Sequence, residues 1–159
     1  MPGNSKKSRK PYRPQNRAGG VKLRAMPWRA AAIFGPLEAI LSQIETSGTV
    51  TTDAQGMPIF KDQNDGDWYA TVPALEGVID AFAAHQVRSG RVMPLDILRR
   101  FAKKLEYASP IALAECAEVR RDLATLRAET LAMTQDYAAS LVRTTQIRIE
   151  LDNRERVAA

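Results

Sequence analysis

From Ile111 onward the chain contains no glycine and no proline, and its apolar residues keep a helical rhythm. Ala112, Cys116, Val119, Leu123, Leu126, Thr130, Met133, Tyr137, Ser140, Thr144, Ile147 and Leu151 follow one another at spacings of four and three. Ala117, Ala124, Leu131 and Ala138 widen that stripe, which suits a bundle face better than a two-stranded coiled coil. An unbroken helix over residues 111–155 would be about 65–70 Å long, against about 25–30 Å for any other helix the chain can form. Either the run breaks, or its far half packs on another chain. The segment "AMTQD" (132–136) is the expected break, because Thr134 or Asp136 can cap a new helix.

The rest of the chain reads as shorter helices around one small sheet. Pro27 suits a first helical turn. Trp28, Ala32, Ile33, Leu37, Ile40, Leu41 and Ile44 form a stripe after it, with a kink or break expected at Gly35-Pro36 and an end at Gly48. Val50–Thr52 and Met57–Phe60 flank the turn "DAQG" and predict a hairpin at about 49–61, its second strand held to an edge by Pro58. Trp68, Val72, Leu75, Val78, Ile79 and Phe82 share a helical face, with Thr71 as N-cap and a stop at Gly90. "VMPLDILRRFAKKLEY" follows, with Ile97, Leu98, Phe101 and Leu105 as its apolar face. The expected fold is mainly α: a bundle of about five helices with a small β-hairpin insertion. The expected core is Trp28, Leu37, Ile40, Leu41, Ile44, Phe60, Trp68, Leu75, Ile79, Phe82, Leu98, Phe101, Leu105, Leu123 and Leu126.

Charge divides the chain. Nine cations and no acid precede Glu38, whereas the remaining residues carry 14 cations and all 18 acids. A net charge of +5 is therefore a basic arm on a mildly acidic body. Residues 1–25 combine like charges, Pro2, Pro11, Pro14 and Gly19-Gly20 with few apolar groups, so they are expected to be a disordered basic arm ahead of a single helical domain over 26–159. Lys6, Lys7, Arg9, Lys10, Arg13, Arg17, Lys22 and Arg24 are candidates for phosphate contact, and Tyr12 for stacking on a base. Such contacts to DNA or RNA are nonspecific, since phosphates carry no sequence information. A solubilising tail has the same composition.

Other chemistries find little support. "DQNDGD" has glycine at the fifth position of its would-be calcium loop, not the sixth, and reads as a tight turn. His85 and Cys116 are the only histidine and cysteine, which leaves no zinc set. His85 has no nucleophile motif beside it and reads as a helix-face or surface histidine; Cys116 reads as a small core residue. No phosphate-binding glycine loop occurs, so no cofactor, no metal and no enzymatic activity are expected. Arg148/Asp152, Glu150/Arg154 and Asp152/Arg156 are spaced as pairs of a solvated helix. No apolar run approaches the ~20 residues of a membrane span, and no apolar segment follows the N-terminal charges as in a signal peptide. With one cysteine, a reducing, cytoplasmic location is expected.

The segments "KKSRKPYRP", "MPWRAAAIFGPLEAIL", "GMPIF", "PALEGVIDAF", "ILRRFAKKLEYAS" and "ASLVRTTQIRIEL", taken in order, carry a resemblance. The chain resembles a family of small, mostly uncharacterised prophage and mobile-element proteins of Proteobacteria with a Lys/Arg-rich "YRP" tail. The resemblance implies a phage or mobile-element context and a break near Met133; it implies no activity. Three functions fit: an accessory protein contacting nucleic acid or a nucleoprotein through the arm; a modulator or inhibitor that binds a host or phage protein through the body; and a structural oligomer self-associating through the C-terminal helices.

Overall fold

The Gly- and Pro-free run folds as two helices. In the computed structural model, which describes residues 20–62 and 65–158, α4 (Leu113–Ala132) ends at Met133, whose backbone is extended, and α5 (Gln135–Ala158) begins two residues later. Thr134 caps α5: its hydroxyl accepts the backbone N–H of Tyr137 at 3.2 Å. The break also changes the phase of the apolar stripe. Cys116, Val119, Leu123, Leu126, Thr130 and Met133 are buried, but on α5 burial passes to Leu141 and Thr145, leaving Thr144, Ile147 and Leu151 exposed.

Three more helices complete the bundle: α1 (Pro27–Ser47), α2 (Thr71–Ser89) and α3 (Asp96–Glu106). Helix α1 packs on α4, α2 on α3 and α5, and α3 on α4. Gly48 and Gly90 terminate α1 and α2 in left-handed conformations at φ 75° and 69°, each returning its N–H to the carbonyl four residues back. The helix α1 runs unbroken through Gly35-Pro36, so the chain does not break there. Its buried line is Ala30, Phe34, Leu37, Leu41 and Ile44, with Ile40 beside it. That line is rotated from the predicted stripe, which omitted Phe34, so Trp28 (63% exposed) and Ile33 (43%) face outward. Phe34 meets Phe82 of α2 at a ring separation of 6.4 Å, tying the two helices together.

The sheet lies one turn later than predicted. Residues Ile59–Lys61 (β1) and Trp68–Ala70 (β2) pair antiparallel, with Phe60 opposite Tyr69. The expected pairing across "DAQG" shrinks to the bridge Thr52–Pro58 and flanking bonds such as Ile59 N–H to Thr51 O, 2.9 Å. Pro58 has no N–H with which to extend that ladder. The turn at "DQNDGD" closes the hairpin instead: Gly66, at φ 76°, donates to Asp62 O at 2.8 Å. Trp68 therefore sits on a strand, 55% exposed, rather than on a helical core face, and Phe60 is half-buried. Thr71 is not the cap of α2 but its first residue; its hydroxyl is buried without a hydrogen-bond partner. The other twelve expected core residues are buried, and burial pushes the Cys116 thiol pKa up.

The boundary between arm and body moves as well. Leu23, assigned to the arm from the sequence, is 3% exposed in a 3-10 turn (Leu23–Ala25). Its N–H donates to Met133 O at 2.9 Å, and Gln135 N–H donates to Val21 O at 2.9 Å. Residues 21–25 are thus a strap laid across the α4–α5 junction. It supplies backbone partners where the helix break leaves them orphaned.

Candidate functional site

Of the arm candidates, Lys6, Lys7, Arg9, Lys10, Tyr12, Arg13 and Arg17 lie outside the described residues. Lys22 and Arg24 lie on the strap, both exposed. Lys22 bridges Thr134 through its backbone, so its side chain is held at the surface beside the α4–α5 junction. The apolar pair Val21 and Leu23 was a signal for an ordered segment, masked by the charged residues around it.

The body uses much of its charge on itself. Arg120 donates to both carboxylate oxygens of Glu45 at 2.8 and 3.0 Å, and Arg127 to Glu38 at 2.9 Å, clipping α4 to α1. Arg148 meets Asp80 at 3.0 Å across α5 and α2, not the acids four residues along its own helix. Lys104 pairs with Glu115, which also accepts the Ala112 N–H at the start of α4. These contacts hold Glu45 and Glu115 below the usual glutamate range, chiefly through the hydrogen bonds from Arg120 and Lys104.

Of the two places the sequence allowed, a helix face or the surface, His85 takes the helix face. It is 6% exposed, not a surface residue. Nδ1 lies 2.6 Å from the Tyr137 hydroxyl and Nε2 lies 2.8 Å from Glu129 Oε1. A neutral ring satisfies both contacts, with Nε2–H donating to the carboxylate and Nδ1 accepting from the phenol. Arg91 donates to the same Oε1 at 2.8 Å. Arg88 donates to Ser140 and Thr144 at 2.7 and 2.6 Å, with its guanidinium carbon 5.7 Å from the Tyr137 ring centre. The cluster joins α2, α4 and α5. Both imidazole nitrogens are committed within the fold, so the ring offers no open lone pair to a substrate.

The surface also carries an apolar groove of about 340 Å3. Ile33 of α1 stands on one side, Val142 and Ile149 of α5 on the other, and Ala74, Gly77 and Ala81 of α2 lie between. Two methyl groups and a bare glycine Cα are too small to fill the space between the flanking helices. A second depression of about 510 Å3, reaching Pro36, Phe60, Tyr69 and Pro73, shares Ile33, Ala74 and Val78 with the first. The two form one apolar surface in which Asp62 is the single charged residue among those lining it. Sequence reading missed this face because it counted apolar residues toward a core, whereas the groove exists through small residues that leave a core incomplete. A Cβ added at Gly77 meets open space. Gly77→Ala is therefore expected to stabilise the fold by about 0.5–1 kcal/mol, through helix propensity alone, in urea unfolding.

Among the described residues, no group of His, Cys, Asp or Glu is placed to hold a metal ion, and no helix is long and apolar enough to cross a membrane. Comparison of the chain with protein-family models, with curated proteins and with solved structures finds no match.

Proposed function

We propose that this protein is a non-enzymatic phage or mobile-element accessory protein of the bacterial cytoplasm that contacts nucleic acid, or a nucleoprotein, through its basic N-terminal segment. The observation that carries the reading is how charge is distributed. Seven of the 14 cations after Glu38 stand in ion pairs within the body. The first 19 residues hold six cations and no acid. Cations that meet phosphates release condensed counterions, which makes such binding favourable, nonspecific and steeply salt-dependent. The commitment of both His85 nitrogens supports the non-enzymatic part of the reading.

The strap dictates how the reading is tested. Deleting residues 1–25 would remove Leu23 from the core; deleting 1–19 leaves it in place. The full chain and the 1–19 deletion are titrated against fluorescent single- and double-stranded DNA at several salt concentrations. The full chain is expected to bind with a log–log salt slope near −5 if about six phosphates are neutralised, and the deletion to lose most of that slope. Equal binding by the two chains, or no binding by the full chain at low salt, overturns the proposal.

The apolar groove favours a second reading, in which the body acts on a host or phage protein. Apolar patches of this kind are where protein partners dock. A groove lined by Ile33, Val142 and Ile149 has no charge with which to hold a nucleic acid.

A further inference from the structure

We infer that the groove face is an interface between two copies of this chain, with α5 pairing antiparallel to the α5 of the second copy. Val142 and Ile149 are seven residues apart on one side of α5, 49% and 44% exposed. A two-fold axis passing between Thr145 and Gln146 sets Val142 of each copy against Ile149 of the other. The ridge and the groove beside it belong to one face, so a single isologous contact covers both in both copies.

Charge is compatible with this register. Arg143 and Glu150 are exposed on the flank of α5 next to that ridge. Seven residues apart, they are too distant to pair within one helix, where partners lie three or four apart. The antiparallel register sets each Arg143 on the same flank as the second copy's Glu150, offset by two residues or about 3 Å along the axis, a gap two long side chains span, twice per dimer. Arg148, the other cation of this stretch, is already held by Asp80 of its own chain.

The alternative seam of α5, through Ile147 and Leu151, is less suited to a partner. Its inner half is occupied by Arg88, whose guanidinium donates to Ser140 and Thr144. Covering that seam would bury a charge without a carboxylate partner, which is costly. The groove side imposes no such penalty, because its lining is uncharged beside α5. Apolar, charge-poor lining is the signature of homodimer interfaces rather than of transient ones. Length fits too. Every residue of α5 from Gln146 to Ala158 is exposed in the single chain. Helices draw most of their stability from packing, and the proposed register gives α5 a partner from Ala138 to Asn153.

Sedimentation equilibrium and light scattering on the full chain provide the test. A mass of twice 17.6 kDa is expected, at ~50 µM and above, with dissociation on dilution. Ile149→Asp is expected to give a monomer with an unchanged far-UV circular dichroism spectrum, since the side chain is exposed in the single chain. Arg143→Glu and Glu150→Arg are each expected to weaken the dimer about tenfold, and the double exchange to restore it. A chain that stays monomeric at all concentrations overturns the inference and hands the groove to a different protein. A dimer indifferent to Ile149→Asp overturns it as well, and failure of the double exchange to restore pairing overturns the antiparallel register. None of these outcomes depends on whether the N-terminal segment binds nucleic acid.

Discussion

Phe34→Ala is expected to lower the unfolding free energy by about 3–5 kcal/mol, the usual cost of truncating a fully buried aromatic ring. Phe34 is 0% exposed and packs against Phe82, so the lost ring leaves a cavity where α1 meets α2. A domain of this size has a total stability of about 5–15 kcal/mol, so the variant should be close to unfolding at physiological temperature. Trp28→Ala provides the contrast. Trp28 is the larger side chain and sits six residues earlier on the same helix, but it is 63% exposed. Its replacement is expected to stay within about 0.5 kcal/mol of the parent. Urea unfolding followed by circular dichroism separates the two, and equal losses would show that the face of α1 turned inward has been misassigned.

The second large effect is expected at Glu129. Its carboxylate accepts from His85 on one side and Arg91 on the other, and its side chain is 14% exposed. Glu129→Leu leaves the His85 Nε2–H buried without an acceptor, at a cost of about 1–3 kcal/mol. Arg91 adds little to that figure because its side chain is 66% exposed and rehydrates. Glu129→Gln keeps an acceptor oxygen and is expected to cost less than half as much. The same denaturation series reads both variants. If leucine and glutamine behave alike, the hydrogen bond is not what holds α2 to the end of α4.

The sequence was most legible where one physical rule acts alone. Helix ends at Gly48 and Gly90 followed from the residue type that tolerates a left-handed backbone. The division of the C-terminal run followed from length, and Thr134 was recognisable as a cap. Cys116 read as a core residue because an apolar stripe passes through it. Legibility failed where two elements compete for the same residues. Trp68 fits a helical face by spacing, yet it pairs with Lys61 in the hairpin, because the turn around Gly66 returns the chain at that point. Pro36 disfavours a helix interior by rule, yet α1 continues through it, with Leu37, Ile40 and Leu41 buried just beyond.

His85 shows the limit most clearly. Nothing near it in sequence indicates a partner; Glu129 and Tyr137 are 44 and 52 residues away. A polar side chain can be buried only if the fold brings it partners, and which helices meet is a tertiary outcome. Leu23 makes the same point. Local composition placed it in a basic arm, but one buried leucine and two backbone hydrogen bonds to the α4–α5 junction make it part of the body.

By itself, then, the amino-acid order determined a mainly helical chain of about five segments, the break in its longest run, the small hairpin, and the separation of a basic N-terminal segment from an acidic body. These depend on local rules: periodicity, capping, chain length and the count of charges. Only the tertiary structure decided which side of α1 and α5 faces inward, where the strap lies, how His85 is satisfied, and that α2 leaves a groove between α1 and α5. Each of these depends on contacts between residues far apart in the chain. Their free energy comes from surfaces that do not exist until the helices have packed.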